Sequence, residues 1–166
     1  MSNSKINLDN IKAYWPLIVV VSLSMALPVI QMHDFMWMQF MHHSMGYFLI
    51  FLAMLKIFNL KGFRKGFAKY DIVTQKFPIY GLIYPWLEMG LGLCFLSGFA
   101  IQYTLWATVL IMGAGGLGVL RSIAQGKKLN CACMGNILAV PLSTVSIIEN
   151  FSMVAMSLFM LWKHSI

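Results

Sequence analysis

The sequence predicts an all-α membrane protein that crosses the bilayer five times. Hydrophobic residues make up 60% of the 166-residue chain and charged residues 10%, where a soluble chain carries roughly 25% charged. Mean hydropathy is +0.76. The apolar residues gather into long uncharged stretches rather than short runs, which is the pattern of membrane helices. Such a chain lacks the polar surface of a soluble enzyme, a disulfide-stapled miniprotein or a nucleic-acid-binding domain. Its net charge of +7 does not sit on a soluble face, so no nucleic-acid partner is expected.

The five stretches are 13–30, 41–58, 79–101, 103–120 and 142–162, each close to the ~20 apolar residues that a bilayer core requires. The first has a basic flank in Lys5 and Lys12, and Ser24-Met25-Ala26 loosely resembles a cleavage site. Its apolar run is long for a signal peptide, so it reads as a retained helix. The fourth carries no charged side chain. The fifth contains Glu149 and Asn150, with Pro141 and Ser143 marking its start. Gly98 to Gln102 leaves only a short turn between the third and fourth spans, which predicts a tight antiparallel hairpin.

Orientation follows from the Lys and Arg residues between spans. Lys5 and Lys12 precede the first. Lys56, Lys61, Arg64, Lys65, Lys69 and Lys76 lie around the second-to-third connection, and Arg121, Lys127 and Lys128 follow the fourth. With the N-terminus cytoplasmic, all of the twelve basic residues except Lys163 face inward. The expected setting is a bacterial-type inner (cell) membrane, with anionic lipid headgroups as the secondary contact of this charge. Within residues 59–77, Phe63, Phe67 and Tyr70 recur at helical spacing among the basic residues. That predicts a short amphipathic helix on the inner membrane surface, as an interfacial anchor or as a docking face for a partner.

The segment after the fourth span carries the most specific chemistry: Asn130-Cys131-Ala132-Cys133-Met134-Gly135. A Cys-x-Cys disulfide closes a small strained ring and is comparatively labile, which suits exchange. As thiolates, favoured by nearby Lys127 and Lys128, Cys131 and Cys133 are also soft ligands for Cu(I) or another thiophilic metal. The bland alternative is a pair of small buried cysteines. Cys94 sits about fifteen residues into the third span, roughly 20 Å from its start, too far for a disulfide to the other two. It reads as packing.

Residues 31–45 hold five methionines, three histidines and Asp34, on the external side in this topology. Thioether and imidazole together suit copper. A second helix beginning near Phe35 would place Met38, His42 and Met45 on one face; an interfacial belt of Met, Trp and His is the other reading. Glu149, Met153, Met156 and Met160 form a stripe in the fifth span that reads first as packing, and also as part of a route for a soft cation. Glu88 is an intramembrane carboxylate, expected to face the bundle interior and not lipid, and therefore a functional candidate; alternatively it hydrogen-bonds the third helix to a neighbour. Residues 113–118 are glycine-rich, but they lie mid-span without the strand and Lys of a nucleotide loop. The Ala114/Gly118 pair there is expected to let helices approach closely.

From about residue 45 to 162 the chain resembles the MauE/DoxX group of redox-associated membrane proteins. The landmarks are Leu55-Lys56-Ile57-Phe58, Gly62-Phe63, Tyr70, and Tyr84-Pro85-Trp86-Leu87-Glu88-Met89-Gly90-Leu91-Gly92-Leu93, followed by Gly126 and the Cys-x-Cys-x-Gly element. The resemblance implies a four-helix DoxX-like bundle over 39–166, preceded by an extra N-terminal helix and the Met/His-rich segment in 1–38. For MauE proteins it implies maturation of the disulfide-rich small subunit of methylamine dehydrogenase alongside a thioredoxin-like partner. DoxX-like members are associated with membrane oxidoreductase complexes. Some relatives carry a heavy-metal-associated domain, and this chain has none.

The leading expectation is therefore a membrane redox component in which Cys131 and Cys133 exchange a disulfide with a partner, with Glu88 as an accompanying carboxylate. Copper or heavy-metal transport through Met38, His42, Met45, Cys131 and Cys133 is the alternative. A non-catalytic subunit of a larger membrane complex is the third. Charge counting places the two thiols inside, where thiols are kept reduced, whereas maturation of an exported client belongs outside. The exchange and metal readings stay open at this point.

Overall fold

The computed structural model describes residues 3–32, 34, 36–69, 71–125 and 142–165. Among them every regular element is a helix: α1 (Asn3–Gln31), α2 (Trp37–Phe58), α3 (Leu60–Phe67), α4 (Ile72–Lys76), α5 (Tyr80–Ser97), α6 (Ile101–Ala124) and α7 (Leu142–Ser165). Two of them, α2 and α6, are long and apolar enough to cross a membrane, and Leu17–Gln31 within α1 is a shorter apolar stretch. The other expected spans are interrupted by the side chains that give the bundle its polar interior, Glu88 in α5 and Glu149 with Asn150 in α7.

Two helix pairs form the frame. α5 packs chiefly along α2, and α6 along α7. At the first contact the backbones nearly touch: a Cβ added at Gly92 would lie 2.9 Å from the Gly46 carbonyl oxygen, and one at Gly46 would lie 3.0 Å from that of Gly92. At the second, Gly115 and Gly116 accept Asn150 and Phe151 of α7. Small residues let helices approach in this way. The close face in α6 is therefore Gly115 and Gly116 with buried Gly118, and Ala114, expected there from sequence, is exposed.

The expected α5–α6 hairpin is also modified. The turn is as short as the sequence implied, with Gly98 at φ 69° and Ala100 at φ 47°, and Gln102 already belongs to α6. The two left-handed residues reverse the chain, yet each helix finds its main partner elsewhere because the glycine contacts lie toward α2 and α7.

The main core joins Met41, Met45 and Leu49 of α2 with Phe95, Leu105, Met112, Met153 and Met160. α1 lies against α2, held by the Tyr47 hydroxyl donating to Gln31 Oε1 at 2.8 Å. It leaves Trp15, Ile18, Leu23, Val29 and Ile30 exposed, a surface suited to acyl chains.

α3 is the short helix expected here, and it corrects the expectation that its apolar face is an anchor in the lipid. It is amphipathic, with Lys61 and Lys65 exposed. Its apolar face, however, points into the protein: Phe63 and Phe67 are buried, with ring centroids 6.1 and 4.6 Å from that of Tyr84. Tyr70 lies outside the described residues. Both short helices are capped at their starts, where the Asn59 side chain accepts from the Gly62 amide (3.2 Å) and Asp71 Oδ2 from the Thr74 amide (2.6 Å). Such caps satisfy amides with no intrahelical partner.

Candidate functional site

Lys56 lies in the last turn of α2, in an apolar run that ends Leu55-Lys56-Ile57-Phe58. Its four-carbon stem can carry the ammonium away from the helix end, and here it carries it inward. The Nζ donates to Glu88 Oε1 of α5, and to Glu149 Oε1 of α7 at 2.9 Å. The side chains are 4%, 0% and 5% exposed in the order Lys56, Glu88, Glu149. One cation thus joins carboxylates from two other helices, in a place where an isolated charge would be costly.

Aromatic rings complete the surround. The ammonium sits 5.7 Å from the centroid of Phe63 and 5.4 Å from that of Tyr84, within the range of cation–π attraction. The Tyr84 hydroxyl donates to Met112 Sδ at 3.5 Å, which links the cluster to the main core. A small cavity of about 10 Å³ adjoins Lys56 and Glu149 and reaches Ser146 and Asn150, room for a single water. Glu88 Oε2 and Asn150 Oδ1 are buried with no hydrogen-bond partner among the described residues.

Chain direction places this cluster at one particular end of the bundle. Lys56 is near the end of α2, while Glu88 and Glu149 are eight and seven residues after the first residues of α5 and α7, roughly 10–12 Å along each axis. α3 covers the same end. So do the end of α6 at Ala124 and the start of α7 at Leu142, the two points joined by the segment that carries Cys131 and Cys133. The two thiols themselves lie outside the described residues.

Sequence reasoning places Glu88 in the protein interior, and it is buried there. Its partner is not foreseen by that reasoning. The charge count sets Lys56 among the loop cations at the headgroups, and its burial removes it from that count without changing the inward excess of charge. The spacing of α7 groups Glu149 with the methionines that follow it. The available signal was mutual need: two carboxylates within apolar helices call for a cation, and Lys56 is the basic residue set within the apolar part of α2.

Met38 and Met45 both belong to the methionine-rich core, Met45 at 1% exposure and Met38 packed against its edge. The His42 ring stacks on Phe95 with centroids 6.3 Å apart. Among the described residues no group of three or more His, Cys, Asp or Glu side chains is arranged to hold a metal ion. Cys94 is a half-buried free thiol on α5. Met153 and Met160 of the α7 stripe are buried in the core. A larger cavity of about 260 Å³ between α1, α2 and α7 is bordered by Met25, Met45, Met153 and Met156.

No curated protein and no solved structure matches the chain. The family model described as methylamine utilisation protein MauE matches residues 35–163, which takes in all three ionisable side chains of the cluster, so the MauE side of the resemblance is the one supported. On that match, which covers most of the sequence, and on its apolar helices, the chain belongs to the MauE family and is a helical membrane protein of methylamine utilisation.

Proposed function

We propose that this protein exchanges a disulfide with a partner protein through Cys131 and Cys133, in the maturation of a disulfide-rich client. The observation that carries the reading is the construction of the end of the bundle from which the thiol segment departs. There α2, α5 and α7 are tied by Lys56, Glu88 and Glu149 and covered by α3, which gives a fixed base to a short Cys-x-Cys segment. The thiolate of one cysteine attacks a partner disulfide, forming a mixed disulfide and releasing one partner thiol. The second cysteine then attacks its neighbour, closing the Cys131–Cys133 bond and releasing the other partner thiol. Two electrons pass to the partner, and the reverse sequence oxidises it. A thioredoxin-like protein is the natural partner class, and other subunits of a membrane complex would contact the exposed apolar faces. The membrane arrangement that fits is five spans in a bacterial-type inner membrane, α1, α2, α5, α6 and α7, with the N-terminus and the thiol segment cytoplasmic. The domain division is α1 with its exit, 1–38, and the family bundle, 39–166.

The test is trapping. Cys131→Ser and Cys133→Ser, expressed singly, should differ: the variant that keeps the attacking thiol accumulates a mixed disulfide on a non-reducing gel, and the other does not. A double serine variant that still matures the client fully would end the proposal.

The gathering of methionines favours a second reading, soft-metal handling. Met25, Met45, Met153 and Met156 border one cavity, and thioethers suit Cu(I). In that case Met38, His42 and Met45 would serve as the outer ligands and Cys131 with Cys133 as the inner ones. Cu(I) titration of the purified protein decides it, since replacing both cysteines should remove the inner site and leave the outer one able to load.

A further inference from the structure

We propose that Glu88, Glu149 and Lys56 form a proton-binding site inside the bundle, in which the two carboxyl groups hold one proton between them. The site does not depend on thiol exchange. Its basis is charge balance in a closed space. Among the described residues the cluster contains one ammonium and two carboxyl groups, none more than 5% exposed. With all three ionised, one negative charge would stay uncompensated away from water, a state that burial strongly disfavours. Neutrality requires one further positive unit.

The surroundings do not supply it. Phe63 and Phe67 face the cluster from α3, Tyr84 from α5, and Ser146 and Asn150 from α7. Tyr80 on α5 lies one turn from Tyr84, its ring 5.9 Å away, and is neutral or negative in any state. Arg64 on α3 is directed toward Gly81 and makes no ion pair with either carboxylate among the described residues. Asp71, ahead of α4, accepts from the Thr74 amide.

The remaining unit fits a proton better than a metal cation. Glu88 Oε1 and Glu149 Oε1 are both occupied by Lys56, while Glu88 Oε2 is enclosed at 0% exposure without a hydrogen-bond partner among the described residues. That oxygen is the position on Glu88 that Lys56 leaves open to a hydrogen. The adjoining cavity of about 10 Å³ holds one water at most, and a hard cation such as calcium takes ~6–8 oxygen ligands. Asn150 Oδ1, also buried and unpartnered among the described residues, borders that cavity together with Glu149, so a water held there would exchange the proton by way of the Glu149 carboxyl.

Infrared spectroscopy of the protein in lipid nanodiscs tests this directly. Wild type at neutral pH should show a carboxylic-acid C=O band that shifts in D2O. Glu88 and Glu149 are the glutamates of the sequence, so ¹³C-glutamate in otherwise wild-type protein should move that band without any mutation. Glu88→Gln and Glu149→Gln should each abolish it, because the remaining carboxylate then balances Lys56. Lys56→Met should raise it about twofold, leaving two neutral acids. The band should persist when Cys131 and Cys133 are both replaced by Ser, which separates this inference from the thiol reading. Absence of an acid band in wild type, or a band that ¹³C-glutamate leaves unmoved, overturns it.

Discussion

Lys56 on α2 holds Glu88 on α5 and Glu149 on α7 at once, so that a single side chain ties three helices together. Removing the ammonium takes away the counterpart of a buried carboxylate, which must then take up a further proton to stay neutral. Lys56→Ala should therefore destabilise the protein by about 3–5 kcal/mol, read as a lower unfolding midpoint in detergent. A triple variant, Lys56→Met with Glu88→Gln and Glu149→Gln, should recover much of the loss, because no carboxylate then lacks its counterpart. Equal midpoints for wild type and Lys56→Ala would show that the cluster carries no structural weight.

The α2–α5 contact depends on the absence of a side chain at Gly92. A Cβ there meets Ile50 Cγ1 at 2.7 Å and the Gly46 carbonyl at 2.9 Å, and backbone cannot yield as a flexible side chain can. Gly92→Ala should cost about 1–3 kcal/mol as overpacking. At Gly90, two residues earlier on the same helix, an added methyl would meet nothing within 4 Å. Gly90→Ala should be neutral or stabilising by up to ~1 kcal/mol, through helix propensity alone. Thermal unfolding of the two variants side by side checks the contact, and the prediction fails if they behave alike.

Phe63 is the part of α3 that closes over Lys56. Its side chain is 1% exposed and packs on Phe67 at 4.9 Å between centroids. Phe63→Ala should cost about 3–5 kcal/mol and open a path from the aqueous end to the ammonium. Lys56 should then react with an amine-directed reagent at a rate that wild type does not show. Phe63→Leu, which keeps an apolar side chain there, should react slowly. If Lys56 is as protected in Phe63→Ala as in wild type, the cover is provided elsewhere.

The helical architecture was legible because it follows from composition and from the length of the apolar runs. So was the interior position of Glu88, since a carboxylate in an apolar helix has few other places to go. The partners were harder to read. Lys56 stands 32 residues from Glu88 and 93 from Glu149 in the chain, and which helix faces which is set by glycine contacts such as Gly46 with Gly92 that one sequence does not rank. The face of α3 was misdirected for a related reason. The spacing of Phe63 and Phe67 shows that a helix has an apolar side, but lipid and protein interior satisfy that side equally well. The Cys-x-Cys pair lies outside the described residues, so its chemistry rests on residue type and spacing alone.

Topology gives a prediction that separates the two sides of the membrane in one experiment. After Lys56 is removed from the loop charges, Lys61, Lys65, Lys69 and Lys76 still lie exposed at the α3–α4 end, which the positive-inside tendency assigns to the cytoplasm. The thiol segment leaves the bundle at that end, and Asp34, exposed between α1 and α2, is at the other. In a Cys94→Ala background, a membrane-impermeant thiol reagent added to intact cells should leave Cys131 and Cys133 unmodified. The same reagent should label an Asp34→Cys variant whose Cys131 and Cys133 are serine. Inverted vesicles should exchange the two results. Labelling of Cys131 or Cys133 from outside would reverse the orientation, and would put the pair on the oxidising side, where disulfides persist. The exchange reaction would then run toward oxidation of an exported client instead of drawing on cytoplasmic thiols.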